Sequence, residues 1–127
     1  MKLLLDTHTL LWFVEGSTRL SHHARATIED STNFLSLSAA SLWEIGIKTG
    51  VGKLLLDRPL RELIDDLSRM DIRILPIEPR HVLRVAALPN LHGDPFDRML
   101  VAQALEDGFA ILSADTTLDA YGPVRTW

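Results

Sequence analysis

Short apolar runs alternate with longer amphipathic segments along the whole chain. The apolar runs predict strands at residues 2–5, 34–37, 72–75 and 110–112, with a short fifth at 124–127. Segments with apolar residues three and four apart predict helices at residues 8–14, 21–30, 39–49, 60–70, 80–88 and 96–107. This alternation predicts an α/β fold in which helices cover both faces of a mainly parallel sheet of four or five strands.

Composition and organisation narrow the class of protein. The 127 residues, with 46% hydrophobic content and no repeat, low-complexity tract or long linker, predict a single domain over residues 1–127. The absence of cysteine excludes a disulfide framework, a thiolate nucleophile and a cysteine zinc site. The apolar start "MKLLLDTHTLLWFV" is interrupted by Asp6 and His8 and has no small-residue cleavage pattern, so we expect a cytoplasmic protein without a membrane span.

The stretch "HGDPFDRMLVAQA", residues 92–104, places two carboxylates at the start of an apolar helix. Asp94 before Pro95 is typical of a helix N-cap followed by proline at the first helical position. Asp97 suits the helix dipole, but it also shares a face with Val101 and Ala104, beside the apolar stripe. An ionised carboxylate there needs a cation or donors nearby. Asp94 is therefore predicted to be a cap or an outer acid of a site, and Asp97 a member of one.

Four acidic residues are predicted to meet at the carboxyl edge of the sheet. Asp6 directly follows the first predicted strand, and Asp115 closely follows the fourth. Glu44 lies in the first turns of the helix after the second strand, and Asp97 begins the helix before the fourth. Because ligands of parallel sheets bind beyond the carboxyl ends of the strands, these four side chains form the candidate site.

Each acid also has an ordinary structural interpretation. Asp6 and Asp115 are suited to caps or turns after strands. Glu44 stands three residues after Ser41, a capping-box spacing, and four before Lys48, an ion-pair spacing. Considered together, acids from four separate elements at one edge favour a shared site. Clustered carboxylates without cysteine select Mg²⁺ or Mn²⁺, and such centres commonly hydrolyse phosphodiesters.

Four segments of the chain resemble the sequence blocks of the PIN-domain nucleases, in particular the VapC-type toxins of bacterial toxin and antitoxin pairs. These segments are "LLLDTHTLLW", "SLSAASLWEIGIKTGVGKL", "HGDPFDRMLVAQA" and "ILSADTTLDAY", in the family's order and over nearly the whole chain. The resemblance implies a three-layer α/β/α fold and a metal-dependent ribonuclease. It also implies a cognate antitoxin with a segment in a hydrophobic groove, and a homodimer.

Carried over by position, the family's acidic residues correspond to Asp6, Glu44, Asp97 and Asp115. Asp6 and Asp97 are expected to bind the metal directly, Asp115 directly or through water, and Glu44 to bind it or to orient the attacking water. Ser113 matches a small hydroxyl residue two positions before the last acid, and it is expected to hydrogen-bond a ligand or the phosphate, or to have a structural role at the strand end. Many relatives have asparagine where His8 stands, so the role of this histidine is left open.

The substrate needs positive charge beside the acidic cleft, and Lys48 and Arg98 are the basic residues nearest the predicted ligands in sequence. Solvated or ion-paired side chains are the alternative for both. The net charge of −4 does not exclude RNA, because four metal-bound acids leave −4 + 4 = 0. His92 is expected to be a loop histidine, and no aromatic and basic interleaving predicts a base-stacking surface. A DNA nuclease with the same acids, or a receiver-like regulatory module, remain the alternative functions.

Overall fold

The computed structural model describes residues 1–127 and has the alternating order that the sequence predicts. The strands are β1 (Lys2–Leu5), β2 (Phe34–Ser38), β3 (Ile72–Leu75), β4 (Ala110–Leu112) and β5 (Arg125–Thr126). The helices are α1 (Thr7–Glu15), α2 (His22–Glu29), α3 (Ala39–Gly50), α4 (Leu60–Arg69), α5 (Pro79–Ala87) and α6 (Pro95–Asp107). A 3-10 helix, Thr116–Tyr121, was not predicted from the sequence. This helix is too short to give an apolar period, and only Leu118 in it is buried.

All strand pairs of the sheet are parallel, and the strand order is β3-β2-β1-β4-β5. Leu5, the last residue of β1, pairs with Leu37 on one side and Leu112 on the other. The carboxyl ends of the three central strands therefore lie side by side. This register brings the segments that follow β1, β2 and β4 to one edge, as the sequence predicts.

The core has two layers because successive side chains of a strand point to opposite faces. Leu3 and Leu5 pack with the apolar faces of α1, α2, α3 and α4 on one side of the sheet. Leu4 packs with α6 and the 3-10 helix on the other side. The three layers agree with the α/β/α fold that the resemblance implies. No helix of the structure combines the length and the apolar composition needed to cross a membrane.

A buried histidine fixes α5 against the end of α6. The His81 side chain is fully buried, its Nδ1 accepts from the Glu78 backbone N–H, and its Nε2 lies 2.7 Å from Asp107 Oδ2. Arg80 donates two further hydrogen bonds to Asp107, at 3.0 and 3.1 Å. The hydrogen bonds from Arg80 contribute most to lowering the pKa of Asp107, and His81 adds to this effect. These contacts hold the C-terminal end of α6 against α5.

Candidate active site

Asp6 is held rigidly at the junction of β1 and α1. It is the N-cap of α1, so Oδ1 accepts from the Thr7 backbone N–H at 2.8 Å, and Oδ2 accepts from Ser113 Oγ at 2.7 Å. Only 8% of the residue is exposed. Burial raises the pKa of Asp6, and the Ser113 hydrogen bond opposes that rise. Asp6 is therefore both a cap and a buried carboxylate at the carboxyl edge of the sheet.

Glu44 is buried in the second turn of α3 and is fixed by two neighbours. Thr7 Oγ1 donates to Glu44 Oε1 at 2.7 Å, and Lys48 Nζ donates to Oε2 at 2.6 Å. The hydrogen bond to Glu44 is also the main reason why the pKa of Lys48 is raised. The ion pair expected from the sequence spacing is thus present, and it lies within the acidic group rather than on a solvated face.

Asp97, in the first turn of α6, has the most strongly perturbed carboxylate of the chain. Its pKa is raised to about 7, first because burial removes water from the charged form. The remaining rise comes from the charges of four other acids, in decreasing order Asp6, Asp94, Asp115 and Glu44. The four acids predicted from the sequence are therefore brought together, with Asp94 beside them.

Ser113 links two of these acids across the end of β4. Its hydroxyl donates to Asp6 and accepts from the Asp115 backbone N–H at 3.0 Å. Asp115 Oδ1 accepts from the backbone N–H and the hydroxyl of Thr117, at 3.0 and 2.6 Å, and so caps the 3-10 helix. The other carboxylate oxygen of Asp115, Oδ2, accepts no hydrogen bond from the chain. The caps expected for Asp6 and Asp115 coexist with their place at the site.

His92, which was expected from the sequence to be an ordinary loop histidine, lies next to the acidic group. Its Nε2 lies 3.5 Å from Asp97 Oδ2 and 2.9 Å from Thr117 Oγ1. Ligand atoms of His92, Asp97 and Asp115 all lie within 4.8 Å of one another. However, Nδ1 accepts from the Asp94 backbone N–H at 3.1 Å, so the ring proton lies on Nε2. In this arrangement His92 donates a hydrogen bond to the acidic group through Nε2. The side chains available to bind a metal are therefore the carboxylates.

The chemistry of the donor set fits a hard divalent cation. Five carboxylates share one region, and the pKa values of Asp6 and Asp97 are raised there, first by burial and then by the charges of neighbouring acids. Among the lysine and arginine side chains, only Lys48 is paired with these acids, and it is engaged by Glu44. Oxygen-only ligands of this kind suit Mg²⁺ or Mn²⁺.

Arg98, the other basic residue singled out from the sequence, faces the protein. Its guanidinium donates to the backbone carbonyls of Pro89 and Val85 and to the Tyr121 hydroxyl, at 2.9, 3.2 and 3.1 Å. These bonds fasten the segment before α6 and the 3-10 helix to α6. Contacts of Lys48 and Arg98 with RNA stay predictions, and the geometry favours Lys48, which lies closer to the acids.

Asp94 caps α6, as its position before proline indicates, by accepting from the backbone N–H of Phe96 at 2.8 Å and of Asp97 at 3.3 Å. Asp94→Ala is therefore expected to lower the free energy of unfolding by about 1 kcal/mol. Asp94→Ser should retain most of that stability because the hydroxyl can also cap. Denaturant titration of both variants measures the difference. Equal losses in the two variants would contradict the cap as the main role of Asp94.

The comparisons with known proteins point to one family. A family model described as the PIN domain matches residues 3–122. Ribonuclease VapC22 of Mycobacterium tuberculosis is 30% identical over an alignment 128 residues long, which covers 98% of this chain and 97% of that protein.

Two solved structures have the same fold. One is VapBC2 from Rickettsia felis, in a crystal structure with a DNA fragment from the VapBC2 promoter. It matches with a TM-score of 0.73 and 14% sequence identity, over 99% of this chain and 98% of that chain. FitAcB from Neisseria gonorrhoeae matches with a TM-score of 0.65 and 20% identity, over 98% and 96% of the two chains. The matched span and the curated relative together show that the chain belongs to the PIN domain family, as a VapC-type member.

Proposed function

We propose that this chain hydrolyses phosphodiester bonds in RNA with a divalent metal ion, Mg²⁺ or Mn²⁺, and that it is the toxin of a toxin and antitoxin pair. As a VapC-type PIN domain protein, like a relative named as a ribonuclease, the chain is a toxin endoribonuclease. The metal, its ligands and the partners are the parts that we propose. We also propose that the activity is exerted in the cytoplasm, where the substrate RNA lies.

The observation that carries the metal proposal is the pKa of Asp97, about 7, in a group with Asp6, Glu44 and Asp115. Burial and the charges of the neighbouring acids both disfavour the ionised form of Asp97, and a cation in the cleft would offset both effects. We assign Asp6, Asp97 and Asp115 as ligands, and Glu44 as a ligand or as the residue that orients the attacking water. A receiver-like module, the non-enzymatic alternative, is set aside by the family match over residues 3–122.

The chain's own residues provide orientation and proton acceptance. When bound, a divalent ion supplies charge stabilisation at a phosphate oxygen and lowers the pKa of a bound water. Ser113 and Thr7 hold both oxygens of Asp6 in place. Thr7 and Lys48 hold those of Glu44, so this carboxylate can accept a hydrogen bond from water in a fixed direction. Lys48 adds positive charge close to the place where the phosphate must lie.

Metal-dependent cleavage of single-stranded RNA by the purified chain tests the proposal. We expect cleavage in Mg²⁺ or Mn²⁺, none in excess EDTA, and recovery when the ion is added back. A single-stranded DNA of the same sequence is the matched substrate. Cleavage that persists in EDTA would contradict the metal proposal, and cleavage of DNA alone would support the DNA nuclease alternative.

The antitoxin proposal is supported by apolar surface beside the site. Trp43 is 63% exposed on α3, one residue before Glu44, and its ring meets Phe96 of α6 edge to face at 5.4 Å. Ile47 of α3 and Val51, the residue directly after α3, continue this exposed face. A helix or tail laid into this face would come close to the acids. The structures of VapBC2 and FitAcB, named above, are complexes of related folds, which favours a protein partner here.

Co-expression with the product of a small neighbouring reading frame tests the partner. We expect the two chains to purify together and the complex to cleave RNA at least tenfold more slowly than the free chain. Trp43→Ala should weaken the complex. A free chain that keeps full activity in the presence of that product would contradict the pairing. The proposed homodimer is tested by light scattering of the same preparations.

A further inference from the structure

A small cavity opens directly beside the acidic group, between α1 and the segment after β4. Its volume is 260 Å³, and it is lined by Asp6, His8, Thr9, Trp12, Ala114 and Asp115. Two of these residues, Asp6 and Asp115, are proposed metal ligands. The cavity is therefore continuous with the place where the scissile phosphate must bind.

Aromatic rings form one wall of this cavity. His8 and Trp12 are one helical turn apart on α1, and their rings are nearly parallel, with centroids 5.9 Å apart and planes inclined by 28°. Trp127 supports the Trp12 ring from behind, edge to face at 6.0 Å. The first turn of α1 is itself fixed to β4 because Thr9 Oγ1 donates to the Leu112 carbonyl at 2.8 Å. The wall is thus aromatic, and the helix that carries it is tied to β4.

We propose that this cavity, the His8–Trp12 subsite, binds one unpaired nucleobase of the RNA next to the scissile phosphate. This inference rests on the proposed function, and it names the part of the substrate that the site grips. A base carries a planar π face, and it presents that face only when it is not stacked within a duplex. The subsite therefore selects single-stranded or loop RNA.

The chemistry of the lining favours a base over other ligands. Asp6 and Asp115 repel a phosphate that enters the cavity without a cation, whereas a neutral ring has no charge to repel. The Thr9 hydroxyl is already used by Leu112, so it offers no donor to the edge of a base. Stacking then provides most of the contact, which makes the subsite tolerant of base identity. The ring nitrogens of His8 are among the polar atoms left to contact a base edge.

Binding measured without cleavage tests the subsite directly. The Asp97→Asn chain serves as the parent because Asp97 does not line the cavity and its loss should prevent cleavage. Fluorescein-labelled hexauridylate is titrated in Mg²⁺ and followed by anisotropy. His8→Ala and Trp12→Leu are each expected to weaken binding about tenfold, the loss of one stacked base, and Trp12→Phe to weaken it less than threefold.

Matched controls separate stacking from general effects. His22→Ala removes another exposed histidine, at the start of α2, and should leave the affinity unchanged. An abasic hexamer of the same backbone should bind all variants equally and about tenfold more weakly than hexauridylate binds the parent. His8 makes no side-chain hydrogen bond and is exposed, so its removal leaves the fold intact even if Trp12→Leu proves unstable.

Two results would overturn the subsite: equal affinity of the parent and His8→Ala for hexauridylate, or equal binding of the abasic and base-bearing hexamers to the parent. The subsite would also be overturned if His8→Ala and Trp12→Leu lost antitoxin binding while their RNA binding stayed unchanged. The cavity would then hold a side chain of the antitoxin. Failure of the nuclease proposal is a separate result, namely no RNA cleavage by the unmodified chain in any divalent metal.

Discussion

Asp6→Asn is expected to lower kcat for RNA cleavage at least about a hundredfold while the chain remains folded. Asparagine has the same size, and its carbonyl can still accept from the Thr7 backbone N–H that caps α1. It has no negative charge, however, and if its amide nitrogen takes the place of Oδ2 it cannot accept from Ser113 Oγ. A proposed metal ligand is thereby lost with little loss of local structure. Initial rates in saturating Mg²⁺, with circular dichroism of both chains, measure the effect.

Asp65→Asn is the matched control for this variant. Asp65 is an exposed residue of α4, so the same change of charge there should leave kcat unaltered. An Asp6→Asn chain as active as the unmodified one would remove Asp6 from the metal site. Partial recovery at high Mn²⁺ would instead be consistent with a ligand whose loss weakens metal binding.

Strand positions were predictable because the strands are short, mainly apolar runs, even β3 at the edge of the sheet, where Arg73 and Ile74 are exposed. "KLLL" and "IRIL" are bounded by polar or turn residues, and β1 and β3 begin and end where those runs do. The common edge for the acids followed from topology, since parallel strands joined by helices end on the same side of a sheet. Asp6 and Asp115 could thus be assigned to one cleft without any knowledge of strand order.

Loop contacts were not predictable, because they depend on backbone geometry that has no period in the sequence. His92 lies in the segment before α6, and its place beside Asp97 is set by the hydrogen bond from the Asp94 N–H to its Nδ1. The aromatic pair His8 and Trp12 has the spacing of one helical turn, which was a usable signal. The contact of Trp127 with Trp12 was not predictable, because it depends on the pairing of β5 with β4, which brings the end of the chain to α1.

Asp97→Asn is expected to stabilise the metal-free protein at pH 8. Folding raises the pKa of Asp97 from 3.8 to about 7, so the folded state binds the proton more tightly than the unfolded state. The stability that this group contributes is greatest below pH 4 and is lost as pH rises to about 7. The 18% exposure of the side chain leaves some solvent screening, which reduces the effect. We expect a gain in unfolding free energy of roughly 1–2 kcal/mol at pH 8 and little change near pH 4.

Denaturant titrations of the two chains in EDTA, from pH 4 to pH 8, measure this difference. Asp107→Asn, at the other end of α6, is the matched control with the opposite sign, because the pKa of Asp107 is lowered by Arg80 and His81. That variant should lose stability above pH 4. Mg²⁺ should raise the melting temperature of the unmodified chain more than that of Asp97→Asn, since an ion bound only by the folded state stabilises it. If Asp97→Asn instead destabilises the metal-free chain at pH 8, burial and neighbouring charge do not disfavour the ionised Asp97, and the metal proposal loses its main support.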